Sequence, residues 1–566
     1  MSHSRWHILP PPPDGRLSGF SGFTSLIASV LYHRGINEPS QVEPFLAADN
    51  RLSFDPGLLP GISQAIPRIY RALLSGESIC IYGDFDTDGV TATALLVEGL
   101  SRLGANVVPY IPHRLNEGYG LKLAALENLH LQGISLVITT DCGITAVEPV
   151  EKSKALGIDI IITDHHMPLM ELPRAVAIID PKLPGSSYPF NELSGAGVAL
   201  KLVQALYSSL GREEDYSSFT DLVALGTIAD MVPLLGENRY LVKKGLELLN
   251  QSPRLGIAEM LTQAGLTGGA LDSQTISWVI APRLNAAGRL DSAISSYRLL
   301  TTSSGDEAKS LATWLQDKNI ERQDLTTKAF SIARSKIEEQ GIKHLLFASG
   351  TEFPVGICGL VASRLAEDFY RPTIVAMTEG EISRGSCRSV PEFNIIEAMN
   401  SFQTFHGSFI QFGGHAQAAG FTILTRDIPR LADYLVELAE TKLSGLDLRP
   451  RIDIDAEVKL PELGGNVFQT LQKLEPFGQG NPQPCFISRG VEVIESRLMG
   501  KGNEHLRLKL KQGGTVWDAV AFGMGGDRPD VSSSLDIVYN LEVDHWNGNA
   551  TLRLNILDFS VIRYHT

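Results

Sequence analysis

Between Ser78 and Asp180 the chain repeats one pattern: a short, nearly continuous apolar run, then a longer stretch with helical spacing. The runs are SICIYGD, VVPYIP, SLVITTD, DIIITD and AVAIID, with segments such as VTATALLVEGLSRL between them. Continuous hydrophobicity marks strands buried on both faces, and strands separated by helices mark βαβ units. The segment is thereby constrained to a parallel sheet covered by helices. Asp84, Asp141 and Asp164 each follow such a run. In an open α/β sheet these positions share the carboxyl edge, where such folds build their sites, so residues far apart in sequence converge.

GDFDTDG places Asp84, Asp86 and Asp88 two apart, so an extended turn can aim several carboxylates at one spot, while Gly83 and Gly89 permit tight bends. So many acids together are costly without cations. Asp oxygens mixed with the nitrogens of His165 and His166, and no thiolate, suit Mn²⁺ or Mg²⁺ better than structural zinc. Two such ions can activate a water and stabilise both oxygens of a phosphate ester, which points to phosphoester hydrolysis. Asp230 in DLVALGTIADMVPL ends an apolar helix before Pro233 and can complete the shell from the side. Taken singly, each acid is more ordinarily a helix cap or turn former. DFDTDG also lacks the acid at the twelfth loop position that an EF-hand requires. The combined set carries the metal-site expectation.

The rest of the chain divides by pattern. Residues 1–75 form a helical lead-in, 76–302 the parallel-sheet domain, 303–340 a proline-free connecting helix, and 341–445 a smaller α/β domain. Residues 446–566 alternate in strand fashion (IDIDAEV, HLRLKL, TVWDAVAF, DIVYNLEV, ATLRLNIL) and suggest an OB-like β-barrel. The fold class is therefore α/β with a C-terminal barrel. A net charge of −15 argues against non-specific coating of nucleic acid but leaves room for one basic groove. Five scattered cysteines without a CxxC pair fit neither a disulfide framework nor structural zinc. There is no run of roughly 20 apolar residues to span a membrane, and MSHSRWHILPPPP lacks the apolar core of a signal peptide, so no membrane association and a cytoplasmic location are expected.

GDFDTDG, TTDCG, TDHH, LGTIADMVPL, APRLNAAGRL, GSCRS and GGHAQAAGF, in this order, resemble the DHH phosphoesterase superfamily. The later three motifs, with the long helix and terminal barrel, narrow the resemblance to its RecJ family of single-strand exonucleases. That resemblance covers nearly the whole chain. It implies Asp84, Asp86, Asp88, Asp141, His165 and Asp230 as ligands of two divalent ions, Mn²⁺ or Mg²⁺, with Asp141 bridging. His166 would be a phosphate or outer group, and Asp164 would orient its neighbours through hydrogen bonds. Some superfamily members carry a ligating histidine where Tyr82 stands here, which shifts that load to Asp84. Single-stranded DNA as substrate, 5′ to 3′ polarity, a role in repair and recombination, a single-strand-binding protein and a helicase as partners, and a monomer all follow from the resemblance alone.

Groups for the flanking phosphates are also expected. In GGHAQAAGF, Gly413 and Gly414 would expose N–H groups ahead of a short helix, with His415 as a further donor. RGSCRS supplies Arg384, Ser386, Arg388 and Ser389, and PRLNAAGRL supplies Arg283, Asn285 and Arg289. Arg114 and Asn116 follow another strand end. Isolated arginines are ordinarily solvated, and the family pattern raises Arg283, Arg289 and Arg388 above that reading. The barrel aromatics Trp517, Phe522, Tyr539 and Trp546 are stacking candidates, most of them expected in the core. The competing enzyme is a phosphodiesterase of short oligonucleotides or cyclic dinucleotides, against which the extra C-terminal domain argues. A non-catalytic relative is disfavoured because every matched ligand position is intact.

Overall fold

The structure is a computed structural model that describes residues 3–13, 23–212, 215–266, 271–464, 466–546 and 549–562. The chain forms two compact units: Met1–Ser53 with Pro233–Tyr240 and Arg449–Thr566, and Phe54–Val232 with Leu241–Leu448.

In the second of these, five apolar runs become β1 (Ser78–Tyr82), β2 (Asn106–Tyr110), β3 (Ile134–Thr140), β4 (Asp159–Thr163) and β5 (Ala177–Ile179). They pair all parallel in the order β2-β1-β3-β4-β5. Ile79, Cys80, Ile81 and Tyr82 are buried, as continuous hydrophobicity demands of a strand covered on both faces. The chain runs from β1 to β2 on one side and then crosses back to β3 on the other, so the crevice of the switch point opens at the carboxyl ends of β1 and β3. Three helices back that edge and pack on one another: α1 (Thr87–Ser101), α2 (Gly195–Ser208) and α3 (Thr220–Ala229). α4 (Ala281–Leu290) follows, and then the 36-residue α5 (Gly305–Gln340), begun by the Ser304 side chain accepting from Glu307 N–H.

Beyond α5 lies a mixed sheet of β6 (Leu346–Gly350), β7 (Thr373–Glu379), β8 (Ile382–Arg388), β9 (Phe409–His415) and β10 (Ala418–Leu424), ordered β9-β10-β8-β7-β6. Only β6 and β7 are parallel. Helix α6 (Val355–Phe369) joins those two and is packed against α5. One expectation fails here. Gly413 and Gly414 do not precede a short helix: GGHAQAAGF is a β-hairpin in which Gly413 pairs with Gly420 and Gly414 with Ala419. Gly414 has φ +148°, and a Cβ there would stand 2.5 Å from Ala419 Cα, so close strand approach is what needs the glycine. A helix N-terminus as anion site is therefore absent at this place.

The other unit contains the barrel: β11 (Ala456–Glu457), β12 (Phe486–Met499), β13 (His505–Gln512), β14 (Thr515–Ala521), β15 (Ser534–Trp546) and β16 (Asn549–Val561). The order is β11-β12-β13-β14-β16-β15, and β12 also pairs with β15 to close it. Ile27, Val30, Leu31 and Phe45 share its core with Phe486, Leu508, Ile537 and Tyr539. Arg5–Ile8 pairs in parallel with Arg451–Ile454. Arg239 is fully buried here and donates to the carbonyls of Phe45, Lys473, Leu474 and Glu475 at 2.7–3.0 Å. Tyr539 lies in the core with its hydroxyl 2.9 Å from Ser488 Oγ, Trp517 donates to Leu460 O at 3.3 Å, and Phe522 is half exposed. The Trp546 side chain lies outside the described residues.

Candidate metal centre

The loop after β1 carries Asp84, then Asp86 as N-cap of α1, its side chain accepting from Gly89 N–H at 3.1 Å, then Asp88 in the first turn. Asn285 of α4 clasps the same turn, its Oδ1 accepting from the N–H and hydroxyl of Thr87 at 2.9 and 3.0 Å. Asp88 is held by the amino end of α2, accepting from Gly195 N–H at 2.6 Å and Ala196 N–H at 3.0 Å. Asp141 follows β3 with φ +60°, a left-handed conformation that directs its carboxylate to the crevice at some backbone cost. Asp230 caps the carboxyl end of α3.

These elements converge. His165 Nε2 lies 3.0 Å from Asp141 Oδ1, 3.6 Å from Asp230 Oδ2 and 3.9 Å from Asp88 Oδ2. Three donor groups have ligand atoms within 4.8 Å of one another: Asp84, Asp86 and Asp141; Asp88, His165 and Asp230; and Asp141, His165 and His166. Asp141 belongs to two of them and so stands where adjoining cations would share it. Asp164 is fully buried and saturated, accepting from the N–H groups of Ile144, His165 and His166 and bonded to His166 Nδ1 at 2.8 Å. It orients both histidines.

The electrostatics favour cations. Burial, and then the like charge of Asp86, pushes Asp84 well above the carboxylate range and Asp88 up to about 7. Burial and Asp88 act likewise on Asp141, and push Asp230 up to about 8. Burial, with the neighbouring His166, holds His165 down to about 3, hence neutral and able to ligate. His166 is the opposite case: burial disfavours its charge, but the bond to Asp164 prevails and raises it to about 9. Asp84 Oδ1 and His165 Nδ1 are buried without a hydrogen-bond partner. Oxygen donors, a neutral imidazole and unpartnered donor atoms fit divalent ions of the Mn²⁺ or Mg²⁺ kind. All five cysteines are free and buried, and burial keeps the nearby Cys142 a neutral thiol.

Because carboxyl groups must lose protons to ligate, Mn²⁺ binding at pH 7 is expected to release about one to two protons and to tighten as pH rises from about 6.5 to about 8.5. Calorimetry in buffers of different ionisation enthalpy measures this directly, and zero proton release would show that the carboxyl groups are ionised before the metal binds.

Several contributors carry no chemical label in the sequence. A Cβ at Gly226 of α3 would run into Asp88 Oδ1, and one at Gly195 would stand 2.7 Å from Asp141 Cβ. Gly226→Ala is expected to lower activity about a hundredfold through a displaced carboxylate. A mutant with wild-type kcat and metal affinity would show that the loop has slack. Tyr119, whose hydroxyl is 3.3 Å from His166 Nδ1, carries no such signal, whereas Asp180, fully buried at the end of β5, closes the run AVAIID and could have been found by the strand-end rule that marks Asp84, Asp141 and Asp164.

The expected phosphate ligands lie on several elements, each with its own partners. Arg114 lies 4.6 Å over the ring of Phe85, inside the metal loop, and Asn116 is on the same segment. Arg289 donates to Gly356 O of α6 at 3.3 Å, and Arg384 to Leu115 O at 3.3 Å. A Cβ at Gly359 would stand 3.3 Å from Arg388 Nη2 and 3.6 Å from Ser386 Oγ, which sets both residues against α6. Ser389 is engaged with Phe393 O at 2.6 Å. Gly413, Gly414 and His415 are exposed at the β9–β10 hairpin, and Arg283 bonds to Gln316 and Val279.

Comparison with known proteins agrees in every part of the chain. Family models described as DHH family, N-terminal domain, as DHHA1 domain and as RecJ OB domain match residues 78–227, 343–441 and 454–558. The single-stranded-DNA-specific exonuclease RecJ of Bacillus subtilis is 36% identical over 99% of this chain and 71% of its own length. The crystal structure of RecJ in complex with Mn²⁺ from Thermus thermophilus superposes with a TM-score of 0.85 at 30% identity, covering 99% of this chain and 80% of that one. A structure of exonuclease RecJ bound to manganese gives a TM-score of 0.60 at 34% identity, over 69% of this chain and 98% of that one.

Proposed function

The chain belongs to the RecJ family of single-stranded-DNA-specific exonucleases, and on that premise we propose the residues and the course of its reaction. It is a metal-dependent exonuclease of single-stranded DNA, using Mn²⁺ or Mg²⁺. The observation that carries the site assignment is the convergence of three donor groups, one of which holds both Asp141 and His165 and so joins the other two.

Asp84, Asp86, Asp88, Asp141, His165 and Asp230 would hold two divalent ions, Asp141 shared between them. When bound, such ions activate water and neutralise the charge of a phosphodiester undergoing in-line attack. Asp164 fixes the ring of His166 and the backbone of His165, and His166, charged up to about pH 9, offers a cationic donor to a phosphate oxygen. Arg114, Arg289 and Arg388, with Ser386, His415 and the hairpin N–H groups, hold the flanking phosphates. Asn285 acts one step back, through Thr87. The proposed polarity is 5′ to 3′, with repair and recombination as the setting and a single-strand-binding protein and a helicase as partners of a monomer, since both supply or hold single strand. Domain limits of 76–302, 303–340, 341–445 and 446–566, after a lead-in over 1–75, belong to the same reading. Among the described residues no helix is long and apolar enough to cross a membrane. A cytoplasmic location is part of the proposal and suits five reduced thiols.

The test is digestion of a 3′-labelled, 5′-phosphorylated single strand beside its duplex, with Mn²⁺, Mg²⁺ or chelator. Metal-dependent shortening of the single strand alone, from its 5′ end, is expected. Cleavage of dinucleotides but not of long strands would move the function to short-oligonucleotide hydrolysis.

A further inference from the structure

The N-terminal strand Arg5–Ile8 runs beside Arg451–Ile454, with Arg5 N–H donating to Pro450 O at 2.7 Å and Leu9 N–H to Ile454 O at 2.9 Å. Trp6 Nε1 donates to Asp558 Oδ2 at 2.9 Å, and its ring packs with Ile452 and Leu557 against buried Ile454, Cys485, Ile487 and Val538. Beyond Leu9 come Pro10, Pro11, Pro12 and Pro13. Proline has no N–H, so the ladder cannot continue into this stretch, and a donor from elsewhere must hold it. That donor is His33, whose Nε2 lies 2.9 Å from Pro10 O.

The other ring nitrogen of His33, Nδ1, lies 3.3 Å from Asp455 Oδ1. A carbonyl and an ionised carboxylate only accept, so both nitrogens must carry protons for the two bonds to exist together, and that form is the imidazolium. A neutral ring keeps one bond and turns a lone pair on the other acceptor. The surroundings serve the charged form. His33 is the last residue of the helix Ser25–His33, where the dipole favours a cation. Asp455 also accepts from Arg34 Nη1 at 3.0 Å and, through its other oxygen, from Cys485 N–H at 3.0 Å. Burial opposes its charge, but His33 and Arg34 hold it below the ordinary carboxylate range. The side chains of His33 and Asp455 are each 7% exposed, so water does not freely replace a lost bond. Burial, with the charge of Arg34, opposes protonation of His33, yet the bonds to Asp455 and Pro10 O prevail and raise it above its ordinary 6.5. Cys485 beside them is a neutral thiol, pushed up to about 12 by burial. The two other histidines of the N-terminal segment, His3 facing Asp527 at 3.1 Å and His7 facing Asp453 at 2.7 Å, are exposed.

We propose that His33 is a proton-operated latch: as imidazolium it ties the Pro10 carbonyl to Asp455 and clamps the N-terminal strand onto the barrel unit, and on losing its proton it lets that strand go. Because the folded protein holds this proton more tightly than the unfolded chain, the clamp is closed in full below pH 6.5 and opens as pH rises through the raised value. Opening would bare the edge of Arg451–Ile454 and one side of the cluster around Cys485.

The experiment is amide hydrogen exchange of the full chain from about pH 6 to about pH 9, each rate divided by its intrinsic value, in wild type, His33→Gln and a His3→Gln/His7→Gln double variant. In wild type the protection of the Arg5 and Leu9 amides is expected to fall about tenfold for each unit by which His33 is raised, while β15 and β16 keep theirs. The double variant should behave as wild type, and His33→Gln should show no step. Deuterium exchange at the imidazole Cε1–H of His33, read by mass spectrometry, should have its midpoint above 6.5 and in step with the loss of protection. No fall in wild type, an equal fall in His33→Gln, a step lost in the double variant, or a His33 midpoint at or below 6.5 would overturn the latch. A simultaneous fall in β15 and β16 would overturn it too, since the whole unit would then be opening.

Discussion

Replacing Asp141 by asparagine is expected to lower strand digestion by at least about a thousandfold, and at the same time to raise the melting temperature of the metal-free protein. The two effects have one cause. Asp141 is buried among Asp84, Asp86, Asp88 and Asp230, and burial and their charge push it well above the ordinary carboxylate range. Without cations the cluster opposes folding; with them Asp141 would be the shared ligand. Asparagine has nearly the same shape and tolerates the φ of +60° that this position requires, so it removes charge and leaves the backbone undisturbed. Mn²⁺ should raise the melting temperature of the wild type markedly and of the variant little. Activity within about tenfold of wild type would remove Asp141 from the centre of the reaction.

The second large effect concerns stability alone. Arg239→Met should lower the stability of the barrel unit by about 4 kcal/mol or more, because at least four buried carbonyls lose their donor at once. For a unit of this size that corresponds to about 10 °C in Tm. The metal centre lies in the other unit, so kcat measured at low temperature should survive. An unchanged melting profile would mean that water replaces the guanidinium among those carbonyls.

Which parts are legible in the sequence follows from how each part works. Asp84, Asp141 and His165 announce themselves because a fully buried parallel strand is a continuous apolar run, and the residues after it fall at the functional edge. Asp230 is marked by the proline that stops its helix. Gly195, Ala196 and Gly226 act through N–H groups or through the lack of a side chain, and no residue type signals that. GGHAQAAGF reads as a glycine turn before a helix since alanine and glutamine favour helices; cross-strand pairing with β8 overrides that preference. β12, the 14-residue strand that closes the barrel, is not among the strands that the sequence pattern marks. Its register shifts at Ser488/Val491 and Val493/Glu495 interrupt the alternation by which strands are recognised. Residues 1–75 read as one lead-in because helical spacing names no partner, yet Ile27 and Leu31 share a core with Phe486, Leu508 and Ile537, from the far end of the chain.

That last pairing sets an order of events during synthesis. The unit bearing the metal centre is complete once residue 448 has left the ribosome, whereas the barrel unit draws on Met1–Ser53, on Pro233–Tyr240 and on the final stretch from Arg449. The segment up to Ser53 thus emerges well before Arg449–Thr566, with which it shares a unit, and is expected to find its place only after that stretch follows. Trimming the protein at residue 450 would leave that segment orphaned for good, a ready target for chaperones and proteases. A catalytic fragment should therefore begin near Phe54 as well as end near Leu448.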